Sequence, residues 1–107
     1  MIHLKASQVS TWAKQHSATT PDKPVLVLDV REAWEVQTAS IVNDEAVNGF
    51  QLIHMPMRSV PARYPELDRH QPIACLCHHG MRSMQVAQFL ESNGFTQVAN
   101  VQGGIHA

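Results

Sequence analysis

The sequence has few aromatic residues, few cysteines and no surplus of basic charge. Only 6% of its 107 residues are aromatic, two are cysteines, and eight Lys or Arg residues are balanced by nine Asp or Glu residues. The basic side chains are scattered between Lys5 and Arg82, whereas nucleic-acid binding needs them clustered. No run of about 18 apolar residues occurs, as a membrane-spanning helix would require. We therefore expect neither nucleic acid nor a membrane as a partner.

The first residues and the two cysteines bear on the compartment. The N-terminus lacks the basic and then apolar regions of a secretory signal, so we expect a cytoplasmic protein. Cys75 and Cys77 stand two apart in a strand-like apolar run, where a disulfide between them would be strained. We therefore expect reduced thiols, which suit the cytosol.

Length and apolar pattern predict a single α/β domain over residues 1–107. Unbroken aliphatic runs are typical of strands buried on both faces of a parallel sheet. Strands that alternate with helical patterns favour an α/β fold with its ligand site at the carboxyl ends of the strands. Ser7 is the expected N-cap of the first helix, and Trp12 and Trp34 are both expected in the core. The predicted strands are 2–4, 25–28, 50–55, 73–76 and 98–101, and the predicted helices are 7–16, 31–37, 59–64 and 81–92.

The segment from Cys77 to Ser83 carries the most informative chemistry. Cys77 ends a predicted buried strand, and a short loop through Gly80 leads to Arg82 at the start of a helix. Backbone N–H groups of a tight loop and of a helix N-terminus stabilise an anion. We therefore expect the Cys77 thiol to ionise more readily than a free cysteine and to act as a nucleophile. Gly80 allows the loop to turn inward, and Arg82 offers a permanent positive charge to an oxyanion.

This loop resembles the active-site loop of the rhodanese family, which reads Cys, two residues, Gly, one residue, Arg. Residues 28–32 with 34–35, and residues 93–95 with 101–105, are similar to two further segments of that family. The resemblance covers nearly the whole chain. It implies a rhodanese-like α/β domain with a central parallel sheet of about five strands and helices on both faces.

The resemblance also implies a sulfurtransferase. In the family's reaction a thiolate takes the sulfane sulfur of a donor such as thiosulfate, and a thiophilic acceptor, cyanide or a thiol, then removes it. Cys77 would be the catalytic nucleophile and would carry the persulfide. The implied partners are a small sulfur donor and acceptor, with a thioredoxin-like or other protein acceptor as a further candidate, and neither a cofactor nor a metal is implied. The implied substrate-binding residues are His78, His79, Gly80, Met81, Arg82 and Ser83.

Three other functions remain open from the residues. Phosphatases and arsenate reductases of the same fold place five residues between Cys and Arg, and the four found here favour sulfur transfer. A non-catalytic rhodanese-like binding or regulatory module is less favoured because Cys77 and Arg82 are both present. Zinc would have to be held by Cys75, Cys77, His78 and His79, which are too close in sequence to surround one tetrahedral ion easily.

Several residues have two readings. Asp29 and Arg31 either flank the active site or form a structural ion pair. Cys75 is either a small core residue or a resolving thiol for the persulfide. Residues 42–49 are longer than the family's pattern and form either a solvated loop or a segment that binds a partner or covers the site. Ala107 stands where the family's terminal Trp and last helix would be expected, so we expect a shortened or disordered tail.

Overall fold

Five parallel strands form the centre of the fold. The computed structural model of the chain describes residues 1–19, 22–38, 49–77 and 80–102. The sheet order is β1-β5-β4-β2-β3, and every neighbouring pair is parallel. This confirms the predicted α/β fold with a five-strand parallel sheet. The strands are β1 Ile2–Leu4, β2 Leu26–Asp29, β3 Gln51–His54, β4 Ile73–Leu76 and β5 Val98–Val101.

Helices cover both faces of the sheet. The helices of the described residues are α1 Val9–Thr19, α2 Ala33–Thr38, α3 Val60–Arg63 and α4 Met81–Ser92. One apolar cluster packs α4 against one face of the inner strands, with Leu90 and Val86 as members. A second cluster packs α1 against the other face through Trp12 and Ala13. Every residue of β2, β4 and β5 is buried, as their aliphatic runs predict.

The first helix begins differently from the prediction and ends later. A 3₁₀ turn over Ala6–Gln8 precedes α1, and the Lys5 N–H donates to Gln8 Oε1 at 2.8 Å. Ser7 lies inside this turn, so the prediction of Ser7 as N-cap is wrong. The helix continues to Thr19, three residues beyond the predicted end at residue 16, and the Thr19 hydroxyl donates to the carbonyls of Gln15 and His16 in its last turn.

Two further expectations are corrected. The predicted helix 59–64 is a single α-turn between two 3₁₀ turns, because Pro61 and Pro65 lack the N–H groups needed to continue a regular helix. Trp34 was expected in the core, but 69% of its surface is exposed. The adjacent Glu35 points inward instead, for the reason given below.

The carboxyl ends of β2, β3 and β4 meet at one edge of the sheet. Asp29 pairs in register with Leu76 of β4 on one side and with His54 of β3 on the other. The Val30 N–H donates to the Leu76 carbonyl at 2.9 Å, which fixes the chain just beyond β2 against the end of β4. None of the described helices is long and apolar enough to cross a bilayer.

Candidate active site

Cys77 lies directly beyond the end of β4, at the carboxyl edge of the sheet. It is 1% exposed and belongs to the apolar cluster beneath α4. The Gly80 N–H donates to Cys77 Sγ at 2.9 Å, and Gly80 has φ of +93°, a conformation that glycine adopts at little cost. The loop therefore directs a backbone donor at the sulfur just before α4 begins at Met81. His78 and His79 lie outside the described residues.

Arg82 in the first turn of α4 is held by a carboxylate from α2. Its Nη1 and Nη2 donate to Glu35 Oε1 and Oε2, each at 2.7 Å. The Arg82 side chain is 32% exposed and that of Glu35 only 9%. A two-bond Arg–carboxylate contact of this kind fixes both distance and orientation, so the pair ties α2 to the helix that follows the Cys77 loop.

Local structure turns Glu35 toward Arg82. The Glu32 N–H donates to Glu35 Oε1 at 3.0 Å, the side-chain to backbone bond of a capping box at the start of α2. Successive helix positions point in different directions, so an inward Glu35 leaves Trp34 on the outer surface. Sequence reasoning gave Glu35 no role, although an acidic residue three positions after the N-cap is a recognisable signal.

The ion pair lowers the pKa of Glu35 to about 2 from its usual 4.5, chiefly through the hydrogen bonds from Arg82. The pKa of Arg82 is raised, again mainly by its bond to Glu35, with a smaller electrostatic contribution from Cys77. Both side chains are therefore charged at neutral pH. Because the two opposite charges lie only 2.7 Å apart, their effects on a third charged group largely cancel. A substrate therefore experiences less than the full positive charge of Arg82.

Stability should depend on pH through Glu35. A folded-state pKa of about 2 against 4.5 means that the stabilisation is complete above pH 4.5 and is lost as pH falls toward 2. We expect the free energy of unfolding to fall more steeply over that window in the wild type than in Glu35→Gln. Urea unfolding at a series of pH values measures how steeply the free energy of unfolding changes with pH in each protein. Equal slopes would show that Glu35 does not cause this pH dependence.

Asp29 and Arg31 form a buried ion pair at the end of β2. Arg31 Nη2 donates to Asp29 Oδ2 at 2.8 Å, and each side chain is 1% exposed. The Arg31 N–H and Nε also donate to Asp29, and Nη1 donates to the Glu35 carbonyl at 3.4 Å. The predicted ion pair is therefore present, and through the Glu35 carbonyl it also supports the end of α2 that holds Arg82.

Ser83 and Asn100 support the loop from behind. The Ser83 hydroxyl donates to Asn100 Oδ1 at 2.5 Å, and Asn100 Nδ2 donates to the Gly80 carbonyl at 3.4 Å. Asn100 is 2% exposed and pairs in register with Cys75 of β4. Sequence reasoning missed Asn100, although a single amide within the apolar strand β5 is a signal. Ser83 was expected to bind substrate; in the structure its hydroxyl donates to Asn100 Oδ1.

A double-mutant cycle should reveal the Ser83–Asn100 bond. Ser83→Ala and Asn100→Ala each leave a buried polar partner unpaired, and we expect each to lower the free energy of unfolding by about 1–3 kcal/mol. The double variant should lose less than the sum of the two, because both partners are then gone. Urea unfolding of all four proteins measures the coupling, and additive losses would contradict the bond.

The second cysteine lies behind the site. Cys75 is fully buried, and burial raises the pKa of its thiol to about 12, with Cys77 adding to the shift. Cys75 and Cys77 are not joined by a disulfide, as the sequence predicts. A thiol with this pKa stays protonated at neutral pH, which favours the reading of Cys75 as a core residue.

Other predicted positions are exposed or outside the described residues. Met81 is 66% exposed at the start of α4. The zinc alternative depends on His78 and His79, which lie outside the described residues. The same holds for residues 42–48 of the inserted stretch and for the tail at 103–107. The structure thus brings together Cys77, Gly80 and Arg82 of the predicted set.

Comparisons with known proteins bear on the family and the fold of the chain. Residues 10–107 match the family described as rhodanese-like domain. The Bacillus subtilis protein named "Putative sulfurtransferase YtwF" is 32% identical over 97% of this chain and 91% of its own length. A thiosulfate sulfurtransferase of Pseudoalteromonas translucida, GlpE, is 31% identical over 78% of this chain and 71% of its own. The crystal structure of a rhodanese-like domain protein from Staphylococcus aureus superposes with a TM-score of 0.73 and 26% identity, covering 100% of this chain and 90% of that one.

Proposed function

The chain belongs to the rhodanese-like family of sulfurtransferases, and on that premise we propose that Cys77 is the nucleophile and carries the transferred sulfur as a persulfide. Thiosulfate is the first donor to examine, since the Pseudoalteromonas translucida relative is named a thiosulfate sulfurtransferase. Cyanide or a small thiol is the acceptor. A protein thiol of the thioredoxin type is a further acceptor that the same chemistry would serve.

The observation that supports this proposal is the bond from the Gly80 N–H to Cys77 Sγ at 2.9 Å. A donor directed at the sulfur favours the thiolate over the thiol, and the N-terminus of α4 adds partial positive charge on the same side. A persulfide is also an anion, so the same groups stabilise the resting nucleophile and the loaded intermediate. Backbone N–H groups from His78 to Arg82 complete this cradle in the proposal.

The reaction consists of two balanced transfers. The Cys77 thiolate attacks the outer sulfur of thiosulfate, an S–S bond forms, the bond from that sulfur to the sulfonate sulfur breaks, and sulfite leaves with the electron pair. Cyanide then attacks the outer sulfur of the persulfide, thiocyanate departs, and the thiolate is restored. No oxidant or reductant is consumed.

Arg82 has a positioning role in this scheme. Its guanidinium is tied to Glu35 by two bonds of 2.7 Å and so fixes the first turn of α4. Asn100 fixes Gly80 itself, since its Nδ2 donates to the Gly80 carbonyl at 3.4 Å. Together the two contacts keep the Gly80 N–H directed at the sulfur without rearrangement during the reaction.

Steady-state kinetics test the proposal. Thiocyanate formation is measured while thiosulfate and cyanide concentrations are varied independently, and a covalent intermediate predicts parallel lines in double-reciprocal plots. Intersecting lines would indicate that both substrates bind before sulfur moves. Absence of turnover with thiosulfate and with a persulfide donor would instead favour a non-catalytic binding module.

A further inference from the structure

Every arginine described near the carboxyl edge of the sheet is matched by a carboxylate. Arg31 pairs with Asp29 at 2.8 Å and Arg82 with Glu35 at 2.7 Å, both largely buried. A third pair, Arg58 with Glu32 at 3.3 Å, lies on the surface nearby. The three basic and three acidic side chains sum to no net charge among the described residues of this region.

Among the described residues, Arg82 lies close enough to Cys77 for the two side chains to interact electrostatically, since Cys77 contributes to the raised pKa of Arg82. Its two terminal nitrogens both donate to Glu35, which is nearly buried and ionised at neutral pH. A carboxylate at this distance cancels most of the attraction that the guanidinium would exert on a second anion. An incoming donor therefore meets backbone dipoles rather than a full positive charge.

We infer that Glu35 sets the donor specificity of the Cys77 site, by neutralising Arg82 so that sulfane-sulfur donors with at most one negative charge are preferred over dianionic thiosulfate. This inference rests on the proposed function, because it concerns the first of its two transfers. The preferred class comprises organic thiosulfonates and protonated alkyl persulfides. Glu35 contacts no reacting atom and is a positioning residue that acts through Arg82.

Two donors that differ by one charge isolate this effect. Thiosulfate is a dianion and methanethiosulfonate a monoanion, and each offers a terminal sulfur bound to an oxidised sulfur. Attack by the Cys77 thiolate on methanethiosulfonate forms the same persulfide and releases methanesulfinate, so charge and atoms balance as they do with thiosulfate. The quantity to compare is the ratio of kcat/KM for thiosulfate to kcat/KM for methanethiosulfonate, with cyanide as acceptor.

Glu35→Gln should raise this ratio about three- to tenfold, since the uncancelled charge of a partly exposed Arg82 attracts a dianion more than a monoanion. A change in the reactivity of Cys77 itself affects both donors and cancels in the ratio. The thiosulfate rate of the variant should also fall more steeply with added salt than that of the wild type. A merely structural role for Glu35 would lower both rates and leave the ratio unchanged.

Two variants serve as matched controls. Glu35→Asp retains the carboxylate and should keep the wild-type ratio, even if the shorter side chain lowers both rates. Glu66→Gln makes the same change of net charge in the exposed Arg63–Glu66 pair. The neighbouring Tyr64 packs on Phe89 and Phe95 near the far end of α4, so this pair is remote from Met81 and the ratio should not change.

An unchanged ratio in a folded Glu35→Gln protein, or an equal rise in Glu66→Gln, would overturn the inference while leaving the sulfurtransferase proposal standing. Absence of persulfide formation in the wild type with both donors would overturn the proposed function itself. Urea unfolding of each variant shows which proteins are folded. If Glu35→Gln is unfolded, Arg82→Ala decides: the Glu35 carboxylate, no longer cancelled, should repel the dianion more than the monoanion and lower the ratio, whereas an unchanged ratio contradicts charge cancellation.

Discussion

Cys77→Ser should lose sulfur transfer by at least about a thousandfold while remaining folded, because the residue forms and breaks the covalent bond to the transferred sulfur. A serine hydroxyl is far less acidic than a thiol, and the Gly80 N–H at 2.9 Å from Sγ does not compensate for that difference. The side chain is 1% exposed and close in size to serine, so the change of volume is small. Thiocyanate release from thiosulfate and cyanide measures the loss.

Cys75→Ala is the matched control for this prediction. Cys75 is fully buried on the same face of β4 and its thiol is protonated at neutral pH. We expect its replacement to leave kcat/KM within about threefold of the wild type and to lower stability modestly, since one buried sulfur is lost. Loss of transfer in Cys75→Ala but not in Cys77→Ser would assign the persulfide to Cys75 and contradict the proposal.

Arg82→Ala should lower the free energy of unfolding by about 2–3 kcal/mol. The substitution leaves the Glu35 carboxylate, only 9% exposed, without its two bonds from Arg82. Removing one partner of a buried ion pair typically costs about 3–5 kcal/mol, and the partial exposure of Arg82 brings the expected loss just below that range. Urea unfolding near pH 7 measures it.

The exposed pair between Arg63 and Glu66 supplies the comparison. Their side chains are 42% and 59% exposed and meet at 3.2 Å, so Arg63→Ala should cost at most about 1 kcal/mol. Combining Arg82→Ala with Glu35→Gln should restore part of the lost stability, because the buried charge is then removed. Equal losses in Arg82→Ala and Arg63→Ala would contradict the role of burial in the Arg82–Glu35 pair.

The sequence predicts the inner strands and the long helix well because their pattern is the direct result of burial. The boundaries of β4, β5 and α4 agree with the structure at both ends. Strands buried on both faces leave no alternation to misread, and Gly80 and Asn93 mark the ends of α4 in the sequence. The position of Cys77 at the end of β4 follows from the same pattern.

The partners of the site were less predictable because they depend on contacts between distant segments. Glu35 and Arg82 are 47 positions apart, and Ser83 and Asn100 are 17 apart. Local pattern identifies neither contact. Trp34 was misplaced for the same reason, since the ion pair decides which side of the short helix α2 faces inward.

Intact-mass spectrometry tests the Cys77 persulfide most directly. The protein is incubated with thiosulfate or methanethiosulfonate, freed of donor and measured before and after cyanide is added, beside Cys77→Ser and Cys75→Ala. We expect the wild type and Cys75→Ala to gain the mass of one sulfur atom and to lose it to cyanide as thiocyanate, while Cys77→Ser gains nothing. A gain of sulfur in Cys77→Ser, or none in the wild type with either donor, would contradict a persulfide carried by Cys77.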